Sequence, residues 1–409
     1  AGTLQIGASG RLGGGSYSGN ITNNANFLYS GTNNQTLSGI LSGTGNLTQN
    51  GTGTLTLSGA NTYNGTTTIN AGILQLIVAS DGIAYGGNLT YNINNGSTLK
   101  FGTTNSSLRP LLQGTVVNFD SKGGGTISLD TINGAIQNSS AFTINSNGGA
   151  QNQLTSVNGG YFNDQASNSP VIFNIASGSN STADFLVTGG MGRSAITKNG
   201  TGKLLFTTTN VGTLGNGIYD IRINGGTMEF GGGVILTQNS GSVFANNGTF
   251  SWNSTANPVI ANAITGTGNL TKSNTSTLAL SGNNTYTGTT TLNAGQLNLN
   301  SATAIGNGTF TIVGGTLDNT SSGAITLSNN NAQNWNGDFS FIGTNNLNLG
   351  TGAVTMNASR TVTVTAGNLT VGGAIAGTGF GLTKNGSGTL ILSGANTYNG
   401  TTTINAGTI

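Results

Sequence analysis

The sequence has no cysteine, no histidine, only three prolines and very little charge. Without cysteine there can be no disulfide framework, thiolate nucleophile or Cys-ligated zinc. Without histidine there can be no Ser-His-Asp triad and no imidazole-ligated metal. Three prolines exclude collagen, which also needs glycine at every third position. Charged residues are 5% of the 409, against roughly 25% in an ordinary soluble domain.

The few charges are scattered and sum to a net charge of +2. They form no basic footprint, so we expect no nucleic-acid partner. No run approaches the roughly 20 apolar residues that a membrane-spanning helix needs, so we expect no span in this segment. We also expect no cofactor and no metal. The chain starts without methionine and without a signal-peptide pattern, and we expect it to be processed or cut from something longer.

The residues that the sequence does have in abundance are glycine, asparagine and threonine, arranged in repeats, the pattern to look for first. The best-preserved block, at 42–72, contains Asn-Leu-Thr-Gln-Asn-Gly-Thr-Gly-Thr-Leu-Thr-Leu-Ser-Gly-Ala-Asn-Thr-Tyr-Asn-Gly. It returns at 265–295 and at 376–407, with Leu-Thr-Lys in place of Leu-Thr-Gln. A degenerate copy at 196–230 lacks the Asn-Thr-Tyr turn.

Longer duplication is also visible, because Phe27-Leu-Tyr and Phe250-Ser-Trp stand at equivalent places. We predict one continuous solenoid over 1–409. Its repeat modules are 1–72, 73–224 (with the degenerate repeat 196–230), 225–295 and 296–409.

Within each block the apolar residues alternate with polar ones, as at Leu55 and Leu57, over runs of four or five residues. This period of two predicts β-strands, and the intervening Asn-Gly, Gly-Gly and Asn-Ala-Gly sequences predict turns. Leu57 and Leu76 are 19 residues apart. The pattern favours an all-β fold, a right-handed parallel β-helix (β-solenoid) of roughly 20 coils. An all-β sandwich is the alternative, but its loops should not recur in such similar form.

The recurring turn residues are the candidate structural sites. Asparagine and threonine suit the corners of a solenoid, because like residues in successive coils can hydrogen-bond in ladders. We predict equivalent corners for Asn70, Asn293 and Asn405, and packing of each turn tyrosine against the next coil. The predicted turn residues are Asn61, Tyr63, Asn70, Gly72, Asn284, Tyr286, Asn293, Gly295, Asn396, Tyr398, Asn405 and Gly407.

The two ends of the sequence match one another. Ala1-Gly-Thr-Leu closely resembles the Ala-Gly-Ile-Leu run after Asn70, and the chain closes on Asn405-Ala-Gly-Thr-Ile. One hypothesis is a longer tandem array, or subunits that continue one another's coils. The alternative is that the borders carry no meaning. The predicted end-to-end junction comprises Ala1, Gly2, Thr3, Leu4, Ala406, Gly407, Thr408 and Ile409.

The blocks at 42–76, 265–299 and 376–409 resemble the passenger-associated transport repeat of bacterial autotransporters, with a weak match at 196–230. They cover about a third of the chain. The resemblance implies a passenger domain, a right-handed β-helix exported to the outer surface of a Gram-negative bacterium. It also implies service as an adhesin, biofilm factor or stalk.

Three functions are compared. The first is a non-enzymatic extracellular rod or head-to-tail filament for adhesion or biofilm, whose partners are copies of the chain and other cells. The second is an adhesin that binds glycan or host protein through the side of the rod, within 79–195. The charged stretch containing Lys100, Arg109, Asp120 and Lys122 is its candidate loop.

The third function is a polysaccharide-cleaving enzyme, which would need two carboxylates about 5–10 Å apart. The chain has only nine acids. Asp164 and Asp184 have the spacing of one coil and are the best candidate pair, although a solvated turn pair is the simpler interpretation. We therefore expect no enzymatic activity and no catalytic residues.

Overall fold

The computed structural model consists of stacked coils of parallel β-strands. The residues that it describes are 2–78, 84–87, 89–94, 96–103, 111–130, 135–138, 141–156, 161–162, 169–180, 182–191, 195–207, 214–218 and 220–409. The chain divides into two compact units, Ala1–Asp220 and Ile221–Ile409. Outside a short 3₁₀ turn at Gly13–Gly15, the elements assigned in the described residues are strands.

Each coil contributes one strand to each of two long parallel ladders in the first unit. The first ladder contains Thr3–Ala8, Asn26–Gly31, Asn46–Gln49, Thr67–Ile69, Thr90–Ile93, Val116–Phe119, Phe142–Ser146, Pro170–Ile175 and Ala195–Asn199. The second contains Ser16–Tyr17, Gln35–Leu37, Thr54–Leu57, Ile73–Val78, Thr98–Thr103, Thr126–Asp130, Asn152–Ser156, Phe185–Val187 and Lys203–Phe206. The remaining strands are Ile21–Thr22, Leu41–Ser42, Ala84–Gly87, Leu111–Gln113, Ala135–Asn138, Tyr161–Phe162, Gly190–Met191 and Leu214–Ile218.

The second unit is built in the same way. One ladder contains Thr227–Gly232, Thr249–Ser254, Asn269–Lys272, Thr290–Leu292, Phe310–Ile312, Gln333–Trp335, Val354–Met356 and Ile375–Ala376. The next contains Val259–Ile260, Thr277–Leu280, Gln296–Leu299, Thr316–Asp318, Phe339–Phe341, Arg360–Val364, Leu382–Asn385 and Thr402–Ile404. Shorter strands are Ile221–Ile223, Leu236–Gln238, Phe244–Asn246, Ile264–Thr265, Ile325–Thr326, Leu347–Asn348, Asn368–Val371 and Thr389–Leu392.

Strand residues alternate between the core and the outside, as the period of two requires. Leu55 and Leu57 are buried, whereas Thr54 and Thr56 are partly exposed. Leu57 pairs directly with Leu76, so like side chains stack between coils. Each unit also buries aromatic stacks; in the first, Phe173 and Phe185 meet edge to face with ring centroids 5.6 Å apart. The core therefore lies inside the coils as columns of stacked apolar side chains.

The prediction of an all-β solenoid of parallel strands is confirmed, and the sandwich alternative is wrong. The turns are fewer than the roughly 20 expected, because coil length varies. In the well-preserved block Leu47 pairs with Thr67, 20 residues on. Between Phe142 and Val171, in the less repetitive stretch, one coil takes 29 residues.

Candidate functional site: stacked repeat turns and their lysine cages

The asparagine of each Asn-Thr-Tyr turn joins neighbouring coils through its side chain. The backbone N–H of Ile264 donates to Asn284 Oδ1 at 2.8 Å, and Asn284 Nδ2 donates to the carbonyl oxygen of Ala304 at 2.6 Å. One buried amide therefore links three successive coils. Asn61 Oδ1 accepts from Leu41 N–H at 2.9 Å, and Asn396 Oδ1 accepts from Ile375 N–H at 2.9 Å.

The tyrosine of the same turn points inward. Its hydroxyl group hydrogen-bonds to a threonine hydroxyl four residues on in all three repeats: Tyr63 to Thr67 at 2.8 Å, Tyr286 to Thr290 at 2.5 Å and Tyr398 to Thr402 at 2.9 Å. Tyr63 and Tyr286 are fully buried, whereas Tyr398 is half-buried. Inaccessible rings cannot stack on sugars, so these tyrosines pack the turn.

The corner asparagines occupy matching positions relative to the preceding coil. The backbone N–H groups of Asn70, Asn293 and Asn405 each donate to a carbonyl 21 residues earlier at 2.8–2.9 Å. Their Nδ2 atoms donate to the side chain 20 residues earlier, at Asn50, Ser273 and Asn385. A longer ladder, which the sequence repeats do not indicate, joins the amides of Asn92, Asn118, Asn145, Asn174 and Asn199 at 2.7–2.9 Å per step.

The glycine of each Asn-Ala-Gly corner has a positive φ: 65° at Gly72, 73° at Gly295 and 73° at Gly407. A Cβ atom at Gly295 would lie 2.2 Å from the carbonyl oxygen of Asn274 and 2.5 Å from that of Ser276. Both backbone conformation and the approach of the preceding coil therefore require glycine at this corner.

The lysine of Leu-Thr-Lys has a structural role that the sequence repeats alone do not reveal. Lys272 is fully buried, and its ammonium group donates to the carbonyl oxygens of Ser273 and Asn274 at 2.7 Å each and of Ala294, one coil later, at 3.2 Å. We call this ammonium group with its carbonyl oxygens the lysine cage. The period of two could have indicated its burial, because Lys272 lies on the same strand face as Leu270.

Two further lysines repeat this geometry. Lys384 Nζ donates to the carbonyl oxygens of Asn385, Gly386 and Ala406 at 2.9, 2.7 and 3.2 Å. In the degenerate repeat, Lys198 Nζ donates to Asn199 and Gly200 at 2.8 and 2.9 Å. In the first repeat Gln49 replaces the lysine, and its Nε2 donates to Gly51 and Gly53 at 2.9 and 2.8 Å.

Burial changes the acidity of these groups. Desolvation lowers the pKa of Lys272 to about 8. Desolvation also lowers the pKa of Lys198 to about 8, although the nearby Asp184 carboxylate acts in the opposite direction. Burial raises the pKa of Tyr63 to about 12, against the opposing hydrogen bond from Thr67, and it raises the pKa of Tyr286 as well.

The residues of the predicted end-to-end junction lie at the outermost coils of their own units. In the first unit Thr3 and Leu4 pair with Asn26 and Phe27, and Leu4 is 51% exposed; Gly2 accepts the backbone N–H of Asn26, and Ala1 lies outside the described residues. In the second unit Thr408 forms a bridge with Thr389, the Ala406 carbonyl caps Lys384, and Ile409 is 38% exposed.

The charged residues weighed for binding or catalysis are mostly used by the fold. Asp184 accepts the backbone N–H of Gly178 at 2.6 Å and of Lys203 at 2.7 Å, and its proposed partner Asp164 lies outside the described residues. Lys100 forms an ion pair with Asp130 on the next coil at 2.6 Å.

The other candidates of the charged stretch add no chemistry. Asp120 Oδ1 accepts the backbone N–H groups of Lys122 and Gly123, a turn within its own loop, and Arg109 lies outside the described residues. The described residues contain no group of three acidic side chains that could hold a metal, and no helix able to cross a membrane.

Replacing Asn284 by alanine is expected to lower the free energy of unfolding by about 2–3 kcal/mol, because it leaves the Ile264 N–H and the Ala304 carbonyl without their partner. Asn396→Ala is the matched control. Asn396 is half-buried and its Oδ1 accepts from Ile375 N–H, so we expect a loss of about 1 kcal/mol. Denaturant unfolding would measure both; equal losses would contradict a special role for the turn at Asn284.

Stability should rise and then fall with pH. The buried Lys198 and Lys272 lose protons near pH 8, whereas unfolded lysines keep theirs to about 10.5, so the unfolded chain binds more protons between these values and folding becomes more favourable. Above pH 10 the effect reverses, because the Tyr63 hydroxyl keeps its proton in the fold up to about 12 but loses it earlier when unfolded.

Denaturant titrations across this pH range would show the maximum near pH 10. The Lys272→Gln variant should show a shallower rise, and Tyr63→Phe a shallower fall. A rise that is unchanged in Lys272→Gln would contradict the assignment.

The model of the passenger-associated-transport-repeat matches residues 47–76, 270–299 and 382–409, which contain the three Asn-Thr-Tyr turns. A curated relative, the adhesin BmaC autotransporter of Brucella suis biovar 1 (strain 1330), is 30% identical over 211 residues. The match covers 49% of this chain and 6% of the relative, so the chain spans a small part of that protein's length. No solved structure matches. Together with the stacked parallel coils, these matches show that the chain has the transport repeats and the β-solenoid of an autotransporter passenger domain.

Proposed function

We propose that the chain is a non-enzymatic segment of a bacterial surface adhesin, located outside the cell, whose β-solenoid acts as a rigid rod or head-to-tail filament. The observation that carries this proposal is that the side chains of the repeat turns bind neighbouring coils. Asn284, Lys272 and Asn70 each connect coils, and none of them is left for chemistry. The named role of the similar adhesin supports surface attachment.

Exposed edges support association of further coils. In the second unit Thr402–Ile404 pairs on one side with Leu382–Asn385, and Ile404 is 55% exposed. In the first unit the strand beginning at Thr3 pairs with Asn26–Gly31, and Leu4 is half exposed. Unpaired strand edges are templates for another strand. We propose that coils of the same kind cover both edges, from the same chain or from a copy.

Electron microscopy of the isolated chain tests end-to-end association. We expect filaments many chain lengths long at high protein concentration. Leu4→Lys and Ile404→Lys should shorten them, because a charge on an edge opposes strand addition. Val313→Lys, at an equally exposed valine away from either edge, is the control. A monomer at every concentration, or filaments that all three variants leave unchanged, would contradict this proposal.

The second candidate is an adhesin that binds glycan or host protein through the side of the rod. It is favoured by the Lys100–Asp130 ion pair, a charged feature on a surface otherwise poor in charge. A glycan array and cell-adhesion assays with wild-type and Lys100→Ala protein would test it. Binding that the substitution reduces would support the site, and no binding in either assay would remove it.

A further inference from the structure

The two copies of the duplicated module differ at one position of their ladders. In the first copy Ser16–Tyr17 is the first strand of the ladder and pairs in parallel with Thr36 and Leu37. The backbone N–H of Ser38 also donates to the Tyr17 carbonyl at 2.9 Å. The edge of Gln35–Leu37 is therefore covered by a short strand from the preceding coil.

In the second copy the equivalent edge is bare. Val259–Ile260 stands where Thr36–Leu37 stands in the first copy, and it begins the eight-stranded ladder. The segment before it turns away instead of pairing, because Ser242 N–H donates to the Asn239 carbonyl at 3.1 Å. Within 221–409 Leu236–Gln238 approaches Val259–Ile260 without pairing with it.

This vacant position is a groove of about 460 Å³ lined by residues of 235–240 and 257–262. Ligand pockets span about 300–1,000 Å³. None of the lining residues is charged or aromatic. Ile235 and Val259 are 45% and 61% exposed, an apolar patch on a surface made mostly of polar side chains.

The groove also contains an unpartnered amide. The Oε1 and Nε2 atoms of Gln238 are both buried, and neither has a hydrogen-bond partner. Buried polar atoms are almost always paired. A primary amide offers one acceptor and two donors, which complements the donor and acceptor of a peptide group.

We propose that this groove binds an extended, uncharged peptide strand of a partner protein, which adds to the free edge of Val259–Ile260. The strand takes the place that Ser16–Tyr17 fills in the first copy, and the Gln238 amide pairs with one of its peptide groups. Main-chain hydrogen bonds supply affinity in strand addition, and contacts to alternate side chains, here with Ile235 and Val259, supply selectivity. The lack of aromatic residues disfavours a saccharide, and the lack of charge disfavours an ionic ligand.

The strand of the first copy supplies the probe. An acetylated, amidated peptide of residues 15–19, Gly-Ser-Tyr-Ser-Gly, is uncharged and has the sequence that covers the equivalent edge. Added to the full 409-residue chain, a dye-labelled form should bind, and the unlabelled form should slow amide hydrogen exchange at 259–261. Val259→Lys and Gln238→Leu should each weaken binding by at least about tenfold. Val313→Lys should bind as the wild type does.

The exposure of Val259 and the similar volumes of Gln and Leu argue against loss of folding as the cause of weakened binding, and hydrogen exchange of the adjoining strand Thr277–Leu280 checks this directly. The proposal is overturned by any of three results: no binding or protection at millimolar peptide, equal binding of a scrambled Gly-Gly-Tyr-Ser-Ser peptide, or protection at 259–261 by neutral oligosaccharides instead. The groove is remote in sequence from Leu4 and Ile404, and failure here leaves the filament test unaffected.

Discussion

Lys272→Met is expected to lower the free energy of unfolding of the second unit by about 3 kcal/mol or more. Methionine fills the space of the aliphatic stem but removes the donors from three carbonyl oxygens, those of Ser273, Asn274 and Ala294. An unsatisfied buried acceptor costs about 1–3 kcal/mol. The loss should also loosen the contact between coils, because Ala294 belongs to the coil that follows Lys272.

Lys272→Gln should cost clearly less, since the first repeat carries Gln49 at the equivalent position. Gln49 Nε2 satisfies two turn carbonyls, but Gln49 Oε1 is buried without a partner. The converse substitution, Gln49→Lys, should therefore stabilise the first unit by about 1 kcal/mol, because it removes the unpartnered oxygen and can reach the next coil. Denaturant unfolding with hydrogen exchange at 290–295 measures these differences.

If methionine and glutamine at position 272 destabilise equally, the carbonyl contacts are unimportant and the lysine stem alone stabilises the coil. If Lys272→Met has no effect, the lysine cage contributes nothing to stability. Either outcome would reject the cage as the element that holds the repeat turns together.

Gly295→Ala is the second substitution with a large expected effect, a loss of about 3 kcal/mol or more. The residue has φ 73°, which costs a residue with a Cβ about 1–3 kcal/mol. The new Cβ would also lie 2.2 Å from the Asn274 carbonyl oxygen and 2.7 Å from Lys272 Nζ. Because the obstacles include backbone of the preceding coil, the clash must separate the two coils or displace the lysine.

Gly323→Ala is the control, since a Cβ there would meet nothing within 4 Å. We expect its effect to stay within about 0.5 kcal/mol. Limited proteolysis and denaturant unfolding of both variants would compare them. A similar stability for the two proteins would show that the corner tolerates a side chain, and that the recurrence of glycine there has another cause.

In a solenoid each coil contacts mainly its neighbours, so destabilisation should be local. Hydrogen exchange should increase around 270–300 in both Lys272→Met and Gly295→Ala. A double variant should lose less than the sum of the two single losses, because Lys272 Nζ lies against the position of the added Cβ.

The sequence by itself determined the strands, the turns and the repetition of the coil. Alternation at Leu55 and Leu57 is a local property, and so is the need for a positive φ at Gly72. Near-identical blocks also imply near-identical surroundings, which is why the turn residues Asn61 and Asn284 could be chosen in advance. They engage equivalent backbone groups of the preceding coil.

Only the tertiary structure decided which residues meet between coils, because stacking register depends on the length of each coil. Asn118 and Asn145 are 27 residues apart, a spacing without any repeat in the sequence, yet their amides meet at 2.7 Å. Lysine is usually solvated, and only the packed turns show that carbonyl oxygens replace water around Lys272. The bare edge at Val259 arises in the same way: one turn at Asn239 removes a strand that the first copy of the module retains.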